Sequence, residues 1–462
     1  MIIKTIPSSW IVAEEHRLDC GPFVKGSIEA KMLLNSLSCP KTPLVQLTKN
    51  GLNGIYHVGQ DKINWVEDVD HGMPFLRSSD ILKTDLSSSV LISRKQVKAN
   101  YLFQCPAGSS LITRSGSIGK MAYSRMDMED MAISQDVLKV LPDEEKIKSG
   151  YLFALLSSRF GIQIITGGTF GSIIVHIEAE NIVDLPVPRL GVIEQQAHEL
   201  VQKAADLRVE ANKLLKDAKE DLVLEIGGGN PIEWEHQHVQ SFAVETRTVN
   251  YLFKRLDAFH YVGYIGEAIE KAAVPLVEVG AYARALRPPI MKRNRVEESG
   301  YEFLGGSELV TLDQRSETKI SERTPNIDKF IVHPGYVLFQ CVGQRYGLFG
   351  RPILANRAIF GKAVTEAVMR LIPNDPKDAG YISVYLATEF GQRLVMHHSA
   401  GTSIPVLQED GANKILVYWP DDKRRHAISE IAEKAWENRA LATELEDQAR
   451  VLVEHAIEEG GQ

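Results

Sequence analysis

The sequence predicts an α+β protein written twice: two homologous units of mixed helix and strand, joined by two long antiparallel helices of coiled-coil type. Three observations predict it. One is an internal duplication at a nearly constant offset. Another is the recurrence of short apolar runs bounded by Gly and Pro, with one apolar helix in each copy. The third is a pair of stretches with heptad spacing.

The duplication is read from five ordered matches. Arg17-Leu18-Asp19 recurs as Arg255-Leu256-Asp257, and Pro43-Leu44-Val45 as Pro275-Leu276-Val277. GMPFLRSSDI at 72–81 answers GYEFLGGSEL at 300–309, and GYLFALLSSRFG at 150–161 answers GYISVYLATEFG at 380–391. Gly171-Ser172-Ile173-Ile174 answers Gly401-Thr402-Ser403-Ile404. The offsets are 238, 232, 228, 230 and 230, the drift expected of small loop insertions.

Within each copy, Ser110 to Arg114 and Tyr336 to Gln340 read as strands. A helix is expected from Gly150 to Phe160, with Leu152, Leu155 and Leu156 on one face, and from Gly380 to Phe390, with Ile382, Tyr385 and Leu386. Further short strands run to Leu185-Pro186-Val187-Pro188 and to Val417-Tyr418-Trp419-Pro420.

A heptad helix follows each copy. In the first, Ile193, Ala197, Leu200, Ala204, Leu207, Ala211, Leu214 and Ala218 alternate steps of four and three. In the second, Ile428, Ile431, Ala435, Asn438, Ala442, Leu445, Ala449, Leu452 and Ala456 do the same. That is an a/d seam, in which small alanines permit close approach and the polar Asn438 sets register or orientation. The expected interface is carried by Leu200, Leu207 and Leu214 on one helix and Ile431, Asn438, Leu445 and Leu452 on the other. The boundaries are then 1–190 and 227–426 for the globular units, and 191–226 and 427–462 for the helices, with a stop at Gly227-Gly228-Gly229-Asn230-Pro231. Helices of this size span on the order of 45–50 Å at about 1.5 Å per residue. Paired antiparallel, they are expected to form a bar with one unit at each end, related by pseudo-twofold symmetry.

Composition narrows the class. The 462 residues are 44% hydrophobic and 24% charged, ordinary for a globular protein. No run approaches the roughly 18 apolar residues of a membrane span. The first ten residues lack a basic stretch followed by an apolar core, so no signal peptide is expected there. Cys20, Cys39, Cys105 and Cys341 form no C-x-x-C pair, and free thiols in a reducing cytoplasm are expected. The net charge of −8 is concentrated in the two helices, at −3 and −6, while the globular units stand at 0 and +1. A balanced unit can still present a basic face.

Enzymatic readings find little support. An amino-methylating enzyme needs an Asn/Asp-Pro-Pro-aromatic loop, and the nearest string, Asn230-Pro231-Ile232-Glu233, lacks the second Pro and the aromatic residue. Asp143-Glu144-Glu145-Lys146 has the residue types of a metal nuclease. They are adjacent in one loop, however, and Asn374-Asp375-Pro376-Lys377 stands in the same place in the second copy, which marks a turn. His236-Gln237-His238 has no third metal ligand, and His397-His398 reads as polar surface.

The first copy carries Gly108-Ser-Ser-Leu-Ile-Thr-Arg-Ser-Gly-Ser-Ile-Gly119, Ala132-Ile-Ser-Gln-Asp136, Gly150-Tyr-Leu-Phe-Ala-Leu-Leu-Ser-Ser158, Gly171-Ser172 and Asp184-Leu-Pro-Val-Pro188. In these strings, and in the order unit, helix, unit, helix, the chain resembles the specificity subunit of type I restriction–modification systems. The second copy departs from the pattern, with Cys341-Val-Gly-Gln-Arg-Tyr-Gly347 in place of the Ser-Gly-Ser-Ile-Gly segment.

The resemblance implies two target-recognition domains, each reading one half of a bipartite duplex DNA site. It implies that the helices set the spacer and dock two DNA-methyltransferase subunits, with translocase–nuclease subunits as further partners. S-adenosylmethionine, ATP and magnesium would belong to those partners, and this chain would hold no cofactor and no catalytic residue. The alternative is a dumbbell adaptor that bridges two protein subunits without touching DNA.

DNA contacts are expected where basic and polar residues share a loop between strands. In the first unit these are Arg114, Ser115, Ser117 and Lys120, whose intervening glycines allow close approach to phosphate. Lys83 and Arg94 are weaker candidates. In the second unit Arg284, Arg287, Lys292, Arg293 and Arg295 stand within twelve residues without an acid between them, followed by Gln344, Arg345 and Tyr346.

Overall fold

The computed structural model describes residues 4–13, 21–87, 89–167, 176–227, 260, 263–344, 347–401 and 403–460. The Arg-Leu-Asp pair of the duplication, Gly171-Ser172, Thr402, Cys20, residues 228–231, His236, His238, Arg345 and Tyr346 lie outside them. The chain divides into two compact units, Met1–Val209 with Leu441–Gln462, and Glu210–Ala440.

Both units have one topology. In the first, β2 (Ile55–Tyr56), β9 (Val137–Val140), β6 (Ser110–Thr113) and β7 (Met121–Tyr123) form an antiparallel sheet in the order β2-β9-β6-β7. A second sheet has the order β3-β5-β4-β8, from Trp65–Val66, Val90–Ser93, Gly72–Leu76 and Ala132–Ile133, and only its β4–β8 pair is parallel. β1 (Lys41–Pro43) pairs with β10 (Pro186–Pro188).

In the second unit the strands are β11 (Leu276–Glu278), β12 (Ala283–Leu286), β13 (Arg295–Val296), β14 (Tyr301–Leu304), β15 (Lys319–Ile320), β16 (Val337–Gln340), β17 (Pro352–Leu354), β18 (Ala363–Val364), β19 (Val368–Pro373) and β20 (Leu416–Tyr418). They repeat the pattern as β12-β19-β16-β17, β13-β15-β14-β18 and β11-β20, again with one parallel pair, β14–β18. The central strands of the β2-β9-β6-β7 and β12-β19-β16-β17 sheets are covered on both faces. Every residue of β6 is buried, as are the first three of β16.

The expected helix Gly150–Phe160 is two helices, Ser149–Ser157 and Arg159–Gly167, and its counterpart is Ala379–Ala387 and Glu389–His397. The break comes from an N-cap inside the apolar run. Thr388 is extended and its Oγ1 accepts the Gly391 N–H at 3.0 Å; Ser158 Oγ accepts that of Gly161 at 3.2 Å. The chain then folds back so closely that a Cβ on Gly161 or Gly391 would lie 2.3 Å from a backbone oxygen.

Each buried helix rests on a long one. A Cβ on Gly150 would meet His198 at 2.8 Å, and one on Gly380 would meet Ser429 at 2.6 Å. Unpaired N–H groups of the buried helix are satisfied there, Gly150 N–H by His198 Nδ1 at 3.2 Å and Tyr381 N–H by Ser429 Oγ at 2.8 Å. Tyr151 and Tyr381 hydroxyls donate to the Pro188 and Tyr418 carbonyls, tying the buried helix to β10 and β20.

The long helices are Val192–Ile226 and Asp422–Glu458. They run antiparallel inside each unit. In the first, Arg208 bonds to Glu446, and Ala204, Ala442 and Leu445 pack with Leu200 and Leu207 at the rim. In the second, Arg424 bonds to Glu225, Asn212 to Arg439 and Glu210 to Asn438.

The seam differs from expectation in one respect. Ala197, Ala204, Ala211 and Ala218 are buried, and so are Val201, Arg208 and Leu222, while Leu200, Leu207, Leu214 and Leu215 are half-buried. The reason is that each helix buries a second surface in its own unit. Ala197, Val201 and Ala205 join the first core, and Leu222, Ile226, Ile428, Ala432 and Trp436 the second. The added surface widens the buried stripe toward the 3.6-residue period. On the second helix Asn438, Leu445 and Ala442 are buried, while Ile431 and Leu452 sit half-buried against the second and first cores.

Candidate nucleic-acid interface

Three loops meet at one corner of the first unit: residues 57–64 after β2, 113–120 between β6 and β7, and 176–180 before β10. Arg114 joins them. Its Nε donates to the Ile177 carbonyl at 3.0 Å and its Nη1 to that of Gln135 at 3.3 Å, while Nη2 is hydrogen-bonded to Glu178. His57 Nε2 lies 3.2 Å from the other Glu178 oxygen. Burial opposes ionisation of Glu178, but the hydrogen bond and charge of Arg114 outweigh it and hold the carboxyl below its usual range.

Arg114 is therefore spent on the protein, with only 13% of its side chain exposed. In this structure it braces the corner. Ser115 is likewise turned inward, its Oγ donating to Asp136 at 2.8 Å. Thr113 closes the loop, donating to the Ser117 carbonyl at 2.5 Å and accepting the Lys120 N–H at 3.0 Å. What this leaves in solvent is Gly116, Ser117 and Lys120, with Gly116 in the left-handed region at φ 71°.

The second unit builds the same corner from residues 287–294 after β12, 341–344 after β16 and 405–410 before β20. Leu407 N–H donates to the Cys341 carbonyl at 2.9 Å and Gly343 N–H to that of Pro405 at 3.3 Å. Arg287 takes the place of His57: its Nη1 donates to Gln408 at 2.9 Å, and its backbone N–H to Glu409 at 2.7 Å. Arg287 Nε reaches the Glu366 carbonyl at 3.4 Å, and Arg293 Nη2 lies 3.9 Å from the Glu366 carboxylate. Arg287 is thus a brace as well. Arg284, Lys292, Arg293, Arg295 and Gln344 are exposed.

Lys83 and Arg94 stand apart from this corner, after strands β4 and β5 of the β3-β5-β4-β8 sheet. Lys83 Nζ donates to Asp80 at 2.6 Å, and Asp80 is held ionised against its burial by Lys83 and Arg77. Arg94 opens the helix Arg94–Ala99. Sequence reasoning missed the acids Glu178 and Glu366, since a carboxylate far along the chain gives no signal that it faces a basic loop.

The chain is similar to solved S subunits of type I systems. It matches the type I restriction–modification S subunit from M. genitalium with 11% identity over 92% of this chain and 96% of that one, at a TM-score of 0.32. It matches the HsdS subunit from Thermoanaerobacter tengcongensis with 13% identity over 92% and 95%, at 0.26. A structure described as showing complex assembly and conformational transition of the type I R-M system matches with 14% identity over 90% and 97%, at 0.28. No family model and no curated protein matches the chain.

Other motifs resolve into local structure. Asp143 to Lys146 is a turn closed by the Lys146 N–H to Asp143 carbonyl bond at 2.8 Å. His397 stacks on His260 with ring centroids 4.5 Å apart. Among the described residues there is no cluster of three His, Cys, Asp or Glu side chains able to hold a metal, and no helix long and apolar enough to cross a membrane.

Proposed function

We propose that the chain is the DNA sequence-specificity subunit of a type I restriction–modification complex, each unit reading one half of a bipartite duplex site. One observation carries this: the same three-loop corner occurs in both units, with the same bracing contact, His57 to Glu178 in one and Arg287 to Gln408 in the other, and different exposed side chains. A repeated frame with divergent tips is what reading two unrelated half-sites requires. Ser117 and Lys120 serve one half; Arg284, Lys292, Arg293, Arg295 and Gln344 serve the other, their cations meeting phosphates and their amides and forks meeting base edges. Arg345 and Tyr346 belong to the same second-unit loop by sequence.

The helix pair sets the spacer and docks two methyltransferase subunits, with translocase–nuclease subunits joining them. S-adenosylmethionine, ATP and magnesium act on those partners, and this chain supplies recognition.

The test uses the purified chain with and without a partner methyltransferase. Adenine methylation of duplex DNA is expected only from the assembly. The logarithm of its affinity should fall linearly as log salt rises, with a slope of about −0.9 per phosphate neutralised. Methyl transfer by the chain alone would overturn the reading, and a flat salt response would favour the protein-bridging adaptor.

A further inference from the structure

The residue of the second corner that looks least suited to water is Ile290. It is the most exposed large apolar side chain among the described residues, at 88%. A lone exposed apolar residue is unremarkable on a protein surface. Its setting is what matters.

Ile290 follows Pro288-Pro289, whose rings restrict φ and stiffen the segment. Pro288 is buried on one side of it, and on the other Met291 is anchored in the small core with Phe303. Both ends of the loop are pinned. The Arg287 N–H donates to Glu409 at 2.7 Å, and the Asn294 carbonyl accepts the Ser321 N–H at 3.0 Å. The side chain is thus held out by a rigid support. It borders an open groove of about 440 Å³ lined by Arg287, Gln408, Glu409 and Asp410.

Directly after it, Lys292, Arg293, Asn294 and Arg295 are all exposed. The Arg293 guanidinium lies 5.4 Å from the Phe303 ring centroid, which holds its charge close to the base of the loop. An apolar tip beside a row of cations complements a polyanion with an apolar interior.

The equivalent loop of the first unit, residues 57–64, has the same length and the same pin, Ser93 N–H to the Asn64 carbonyl at 2.9 Å. There the position of Ile290 is taken by Gln60, and the loop's own isoleucine, Ile63, packs against the core of Val58 and Phe75. The projecting apolar side chain therefore distinguishes the second unit.

Resting on the recognition role argued above, we propose that Ile290 is an apolar wedge that enters a base step of the second half-site and partly unstacks it, while Lys292, Arg293 and Arg295 hold the flanking phosphates. Its contribution is to specificity for a deformable step, since unstacking costs least at flexible pyrimidine–purine steps.

The experiment uses the full chain assembled with its methyltransferase partner, and duplexes carrying the host's methylated sequence with 2-aminopurine placed in the second half-site. Binding by the unaltered assembly should raise 2-aminopurine fluorescence at one step. Ile290→Ala should abolish that rise and weaken binding to the cognate duplex about tenfold, the scale of one lost base-pair contact, while leaving the salt slope and random-duplex binding unchanged. Ile290→Leu should keep both. If Ile290→Ala binds and fluoresces as the unaltered assembly does, the wedge is wrong and the recognition role stands. If the unaltered assembly binds no duplex, both fall.

Discussion

Lys139 and Arg370 occupy equivalent positions in the central strands β9 and β19, and both are fully buried. Their neighbourhoods differ. Arg370 donates to four carbonyls, those of Thr365, Val368, Phe330 and Val364, so its charge is shared among fixed dipoles. Among the described residues Lys139 Nζ has no hydrogen-bond partner, and it lies 5.2 Å from the Tyr56 ring centroid. Burial pushes its ammonium down to about 7 from 10.5, against a small opposing effect of Cys105. Between those values the unfolded chain binds a proton that the folded chain does not, so stability rises with pH from about 7. Burial also pushes the Cys105 thiol up to about 12 from 9.0. Above pH 9 the unfolded thiol loses a proton that the folded one keeps, so the rise is offset there. Lys139→Met should flatten the slope between pH 7 and 9 and stabilise the first unit by about 2 kcal/mol at pH 7, the scale of burying an unsatisfied polar group. Denaturant unfolding at the two pH values checks it. An unchanged slope would mean that the amine keeps its charge in the fold by a route the geometry does not contain.

At the scale of the element, the helix pair carries polar groups inside its buried stripe. Arg208 is 4% exposed at a seam position and bonds to both oxygens of Glu446, with Thr443 Oγ1 at 3.4 Å from Nη2. Removing one partner of a buried pair strands the other, whereas replacing both with apolar residues often costs nothing. Glu446→Ala should therefore destabilise the first unit by about 3 kcal/mol, and Arg208→Leu with Glu446→Leu should recover most of that loss. Thermal unfolding of the single and double variants measures the cycle. A double variant as unstable as the single one would show that the pair contributes net energy. Full recovery would leave orientation and register as the pair's use, the use also expected of Asn438 with Glu210.

At the scale of the whole molecule, both long helices contribute residues to both compact units. If they set the gap between half-sites, lengthening both must change it. Repeating Leu207–Lys213 once in the first helix and Asn438–Glu444 once in the second adds seven residues to each, about 10 Å at 1.5 Å per residue, and keeps the heptad phase. Since DNA rises about 3.4 Å per base pair, the preferred gap should grow by about three base pairs. Loss of activity is also consistent, because the insertion rotates one unit about the helix axis. Methylation of a library of spacer lengths reads the result, and full activity on the original spacing would rule out the ruler.

Much of this architecture was written locally. The duplication, the strands around Leu111 and Leu338 and the two long helices follow from periodicity and turn residues, because backbone hydrogen bonding and the burial of an alternating or heptad stripe are satisfied within short stretches. The alanines at 197, 204, 211 and 218 marked the seam for the same reason. Which basic residues face water was decided only by the tertiary structure. Arg114 and Arg287 stand in basic loops like their neighbours, yet Glu178 and Gln408, 64 and 121 residues along the chain, turn them inward. Likewise, the outward projection of Ile290 follows from Pro288 and Met291 being buried on either side of it. Charge pairing and side-chain direction depend on groups brought together by folding, and the spacing of residues along the chain carries no record of them.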